Sequence, residues 1–135
     1  MEYKLTFSAW KDGLKEGKFL GLKCNDCGAV TFPPRKVCSA CDSENMDIVE
    51  VSRKGKIITY TICWAVPSGF TGPKVVAMAE LEEGGRIMAD IIDPEPDKID
   101  DSIIGKTAEM GYLEIPGDYM TGGDNRYPLT LKIVD

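Results

Sequence analysis

Tyr3, Phe7, Trp10 and Leu14 recur at spacings of four, three and four, which is one stripe of an α-helix and predicts a short amphipathic helix around 6–16. Ser8 is placed to cap or interrupt it, and Gly13 and Gly17 weaken it. The stripe has two possible uses. It can pack into the chain's own core, or it can clasp a partner protein through its two large aromatics, Phe7 and Trp10. Residues 19–23 then read as a short strand and 29–32 as its return. Between them and the next apolar run, Pro33-Pro34-Arg35-Lys36-Val37 is kept extended by its prolines.

From Met46 the pattern changes to alternation with frequent breaks, the mark of a compact antiparallel sheet. It predicts a first strand over 48–51 and a second over 56–64. In the second, Ile58, Tyr60, Ile62 and Trp64 share one face, and Ile57, Thr59, Thr61 and Cys63 the other. Further strands are expected over 74–81 and 86–92, joined by a tight turn at Glu83-Gly84-Gly85, and near 106–114 and 128–134. A helical turn fits 97–104, and a polar, glycine-rich loop spans 117–125, with Gly122-Gly123-Asp124 as its flexible tip. Five or six short strands with one helical turn late in the order fit a small Greek-key barrel of the oligonucleotide/oligosaccharide-binding (OB) kind. An open sandwich would give much the same string.

Two Cys-x-x-Cys pairs, Cys24/Cys27 and Cys38/Cys41, stand ten residues apart. Each pair aims both sulfurs at one point, and together they can supply the four corners of a tetrahedral structural zinc site. Four thiolates fill every coordination position, so such a site stabilises a fold and leaves no room for a catalytic water. Iron in the same cage is a competitor, and a disulfide or redox-active pair is the plainer alternative. The chain therefore divides into an N-terminal helix (1–18), a zinc ribbon too small to fold without its metal (19–45) and an OB-fold domain (46–135).

Composition narrows the function classes. With 22 acidic against 16 basic residues the formal charge is −6, and a loaded four-thiolate cage adds a local −2. That balance argues against charge-driven attachment to nucleic acid or anionic membranes. No apolar run approaches the roughly 20 residues a membrane helix needs. The absence of a secretory leader points to a reducing, cytoplasmic setting. Histidine is absent altogether, which removes the usual general base and every Ser-His or Cys-His nucleophile pair. Cys63 lies in mid-strand without an activating base and reads as a small apolar residue.

Beside the metal motif, Arg35 and Lys36 stand where they can pair with coenzyme A phosphates or with acidic groups of a partner, or simply keep an extended loop in water. Phe70 sits in a loop of prolines and glycines between two strands. It can contact a partner enzyme or an acyl group, or fold back over a barrel end. The acidic run Asp93 to Asp101 has no EF-hand spacing, and Gly122-Gly123-Asp124 lacks the context of a phosphate cradle.

Trp10, the run Lys23 to Gly28, Phe32-Pro33-Pro34-Arg35 before Cys38 to Cys41, the stretch Gly55 to Trp64 and the Glu80 to Gly84 hairpin together resemble the zinc-ribbon plus OB-fold proteins catalogued as domain of unknown function thirty-five. The likeness covers nearly the whole chain. It implies a rubredoxin-like zinc ribbon with a C-terminal OB barrel, mainly β, and an accessory subunit in place of a free-standing enzyme. Members of that family sit beside thiolase-superfamily enzymes acting on acyl-CoA: thiolases, hydroxymethylglutaryl-CoA synthase and thiolase-like aldolases. The family's pattern offers no catalytic residue to carry over. Two other function classes remain: a single-stranded nucleic-acid binder, which would need a basic groove with stacking aromatics, and a rubredoxin-like electron carrier, which would need iron.

Overall fold

The computed structural model describes residues 3–66 and 72–134. Contacts divide the chain into two compact units: residues up to Arg53 together with Glu80–Ile87, and Lys54–Ala79 together with Met88–Asp135.

The first unit opens with helix α1, Phe7–Lys15. Its cap is Thr6, not Ser8: the Ala9 N–H donates to Thr6 Oγ1 at 3.1 Å while Thr6 keeps an extended backbone. Gly17, at φ +80°, turns the chain out of the helix. The aromatic stripe splits. Leu14 is fully buried, contributing about 1.5–3 kcal/mol by burial alone, and Trp10 is half-buried, whereas Phe7 is 69 % exposed.

The chain then forms a three-stranded antiparallel sheet in the order β2-β1-β3, with β1 Leu20–Cys24, β2 Val30–Thr31 and β3 Met46–Glu50. Here the structure departs from the sequence reading. The strand expected over 48–51 as the first of the barrel begins at Met46 and pairs along its length with β1, Cys24 opposite Met46 and Leu20 opposite Glu50. Alternation marks a strand but does not name its neighbour. The core of the ribbon gathers Leu5, Leu22, Cys24, Cys38 and Met46, with Trp10, Leu20 and Ala29 packed against it.

The tip of the following hairpin also belongs to this unit. The Leu81 N–H donates to the Gly85 carbonyl at 2.7 Å and the Gly84 N–H back to Leu81 at 2.9 Å. Gly85 is required by close approach, because a Cβ there would stand 3.1 Å from both Cβ and O of Phe32. The Glu83 carboxylate accepts from the Ser52 N–H at 2.7 Å.

The barrel strands are β4 Lys54–Cys63, β5 Lys74–Leu81, β6 Arg86–Asp93, β7 Thr107–Tyr112 and β8 Leu129–Ile133. They close in the order β4-β5-β6-β8-β7. The β6–β8 pair is parallel, Asp90 opposite Thr130 and Ile91 opposite Leu131, while β4–β7 and β7–β8 are antiparallel. A five-stranded closed barrel of this order is the OB arrangement. Val75, Ala77 and Ala79 alternate inward along β5, and Ala89, Ile91, Ala108, Met110 and Leu131 are buried on the other strands. Small residues interleaved with large ones fill a narrow interior.

β4 keeps its alternation only through Ile57, which is buried; Ile58 and Thr59 are both exposed and Trp64 is 76 % exposed. The helical turn expected over 97–104 is two short 3₁₀ turns, Pro96–Lys98 and Asp101–Ile103, with Ile99 and Ile103 buried. The loop over 117–125 follows an Ile115–Arg126 bridge and contains a 3₁₀ turn at Tyr119–Thr121, whose Met120 N–H donates to Asp118 Oδ1 at 2.9 Å. No helix among the described residues is long and apolar enough to cross a membrane.

Candidate metal centre

The two cysteine pairs sit on matching turns. In the first, the Asp26 N–H donates to Cys24 Sγ at 3.4 Å and the Gly28 N–H to the Cys24 carbonyl at 3.0 Å. In the second, the Ala40 N–H donates to Cys38 Sγ at 3.4 Å and the Asp42 N–H to the Cys38 carbonyl at 3.0 Å. Each turn ends in the left-handed region, Gly28 at φ +79° and Asp42 at φ +61°. Glycine enters that region freely and Asp is among the few side chains that tolerate it. Polar side chains behind the cysteines tie the turns together: Ser43 Oγ donates to the Asp26 carboxylate, Asn25 Nδ2 donates to Asn45 Oδ1 at 3.1 Å, and the Asn25 N–H donates to the Asn45 carbonyl at 2.9 Å. The sequence reading gave Asn25, Asp26 and Asn45 no role here; their signal was small polar side chains flanking each cysteine pair.

All four Sγ atoms lie within 4.8 Å of one another. Two contacts across the knuckles are shorter, Cys24 to Cys41 at 3.6 Å and Cys27 to Cys38 at 3.5 Å. A tetrahedral zinc with metal–sulfur bonds of about 2.3 Å has sulfur–sulfur edges of about 3.8 Å, whereas a disulfide would bring one pair to about 2.05 Å. The cluster has the dimensions of a metal cage. Cys24 and Cys38 are buried, and Cys27 and Cys41 form the exposed rim.

The electrostatics ask for a cation. Backbone N–H groups favour thiolate at the first cysteine of each knuckle: that of Ala40 foremost, then that of Cys41, draws Cys38 down to about 7. Cys24 is lowered in the same way, the Cys27 N–H foremost. The second cysteines go the opposite way. At Cys41 the Ser43 N–H favours the thiolate, but the neighbouring sulfurs of Cys27 and Cys24, with burial, outweigh it and push the thiol up to about 12. Cys27 is raised as well, the pull of the Ala29 N–H being outweighed by Cys38, burial and Cys24 together. Four sulfurs this close cannot all ionise until a metal dication shares their charge. Once bound, that ion has no position left for a water or substrate. Its role here is to hold the ribbon together.

The other sequence candidates fall in different places. Trp10 packs half-buried against the ribbon core. Arg35 is exposed, and Lys36 is half-buried with its ammonium 3.1 Å from Glu44. Phe70 lies outside the described residues. Cys63 is half-buried in β4.

A four-sulfur ribbon leading into a five-stranded OB barrel defines a protein class. Residues 11–47 match the family described as "ChsH2, rubredoxin-like zinc ribbon domain", and residues 48–111 match "ChsH2, C-terminal OB-fold domain". A "DUF35 domain-containing scaffold protein" of Methanocaldococcus jannaschii is 33 % identical over 118 residues, 85 % of this chain and 82 % of that protein. The chain belongs to this DUF35 family of zinc-ribbon and OB-fold proteins. It is similar to the solved structure of an "Ltp2-ChsH2(DUF35) aldolase", with a TM-score of 0.69 and 27 % identity, covering 93 % of this chain and 92 % of that one. It is also 30 % identical over 71 residues to the "Benzoylsuccinyl-CoA thiolase subunit BbsA" of Thauera aromatica, a match to 53 % of this chain and about half (49 %) of that relative.

Proposed function

We propose that the chain is a non-catalytic, zinc-binding accessory subunit of a thiolase-type acyl-CoA enzyme, such as a thiolase, a hydroxymethylglutaryl-CoA synthase or a thiolase-like aldolase complex. It docks on that enzyme and helps to form or close the acyl-CoA site. The observation that carries this reading is family membership alongside proteins named as a scaffold, a thiolase subunit and part of an aldolase. Two features support it. The cage uses all four sulfurs for itself, and the chain contains no histidine.

The N-terminal helix offers a surface suited to the docking role. Tyr3, Phe7, Trp10, Pro33 and Pro34 line an apolar groove of about 460 Å³ within the first unit, and exposed apolar surface rimmed by polar residues suits a protein contact. In this reading Trp10 meets the partner, and Arg35, Lys36 and Phe70 meet the partner or the coenzyme A thioester. Zinc is the metal proposed for the cage; elemental analysis decides it, and iron would give the purified protein a colour.

Co-expression with a thiolase-type enzyme from the same genome is the direct test. The expected result is a complex that survives size-exclusion chromatography and loses acyl-CoA turnover when this chain is withdrawn. A chain that elutes alone, and whose withdrawal leaves turnover unchanged, sinks the reading.

A further inference from the structure

In the first unit, a cleft of about 340 Å³ runs between β2 with its proline extension and the tip of the β5–β6 hairpin. Among the described residues its charged lining is two arginines, Arg35 and Arg86, and no carboxylate. In a chain with six more acidic than basic residues, that is a local reversal of sign. Arg35 makes no ion pair among the described residues. Arg86 gives its Nε to Glu80 at 3.1 Å, which holds the guanidinium in one orientation and leaves the Nη side of the fork for another acceptor.

A further donor comes from Thr31 and Ser39. Thr31 Oγ1 accepts the Ser39 N–H at 3.1 Å and stands 3.2 Å from Ser39 Oγ. Only one hydroxyl proton can lie between those two oxygens, so the other is free to point outward. The rim is open at Gly84, where a Cβ would find nothing within 4 Å. Lys36 takes no part: it does not line the cleft, and Glu44 holds it.

From this lining we propose that the cleft binds a phosphate monoester or diphosphate, with Arg35 and Arg86 as its two charged forks. Guanidinium forks match phosphate oxygens two at a time. An acyl-CoA thioester carries both a diphosphate and a phosphate monoester, so the site deepens the proposed function; it rests on that reading only for the identity of the natural ligand.

Calorimetric titration of the metal-loaded full chain with inorganic phosphate, pyrophosphate, adenosine 3′,5′-bisphosphate and pantetheine tests it. Pyrophosphate and the bisphosphate should bind saturably and pantetheine should not. Arg35→Gln and Arg86→Gln should each weaken binding at least about tenfold, the loss expected for a charged hydrogen bond, with metal content and circular dichroism unchanged. Lys98→Gln, which alters an exposed charge elsewhere, should leave binding intact. A preference for the bisphosphate over free pyrophosphate assigns a nucleotide-type source, and the reverse order assigns a free diphosphate. The proposal is overturned if no phosphate binds saturably, if binding survives both substitutions, or if the substitutions change only metal retention, as expected of arginines that merely balance the cage. Arg86→Gln should still assemble with the thiolase-type enzyme. Lost phosphate binding with assembly intact isolates the site, whereas failure of the unaltered chain to assemble counts against the docking reading alone.

Discussion

In the ribbon, two of the most deeply buried side chains belong to the sulfur cluster, Cys24 at 1 % and Cys38 at 0 % exposure, flanked by Leu5, Leu22 and Met46. In the barrel, the corresponding depth goes to hydrocarbon: Ile57, Val75, Ala108 and Leu131. The difference shows how each unit meets the entropy of ordering its chain. A short sheet of five-, two- and five-residue strands buries too little apolar surface to stand alone. A metal bound by four ligands supplies the missing free energy at one point. The barrel distributes its stabilisation over a closed ring of strands and a continuous apolar interior.

That comparison breaks first at the cage. Cys38→Ser, or removal of the metal with a chelator, should unfold the ribbon, because structural zinc contributes about 10–16 kcal/mol of apparent binding energy in small domains. Hydrogen exchange should show protection lost across 20–50 and retained in β7 and β8. Simultaneous loss in both regions would mean that the barrel also depends on the metal.

Next in size is the barrel core. Leu131→Ala removes a side chain that is 1 % exposed and should cost about 2–5 kcal/mol in denaturant unfolding. Metal content should stay unchanged, because the loss falls on hydrocarbon packing. A variant that also sheds its metal would erase the distinction.

The finest test compares the two knuckles with each other. Gly28 and Asp42 occupy the same left-handed position, so Gly28→Ala should destabilise the ribbon by about 1–2 kcal/mol, while Asp42→Gly should be neutral or slightly stabilising. Melting curves of the loaded protein read both, and equal effects would contradict the matching geometry.

Much of the site was legible along the chain. The cysteine spacing picked out the four sulfurs that the structure brings together, because a Cys-x-x-Cys turn fixes its two sulfurs locally, and the second pair follows after one short strand. The β5 bounds were legible too, since alternation bounded by Pro73 and the Glu82 to Gly85 turn leaves little freedom. The helix was visible from its stripe, but the exposure of Phe7 was not. Which part of a stripe is covered depends on what packs against it.

By itself, then, the sequence determined the cysteine cluster, the ribbon hairpin, the approximate places of five barrel strands and the absence of histidine chemistry. All of these follow from local spacing, period or composition. Only the tertiary structure decided that β3 joins the ribbon sheet and that Arg35 and Arg86 line one cleft. A period of two tells a strand which face to bury and says nothing about which strand lies beside it, and residues distant in sequence become neighbours only when the chain closes on itself.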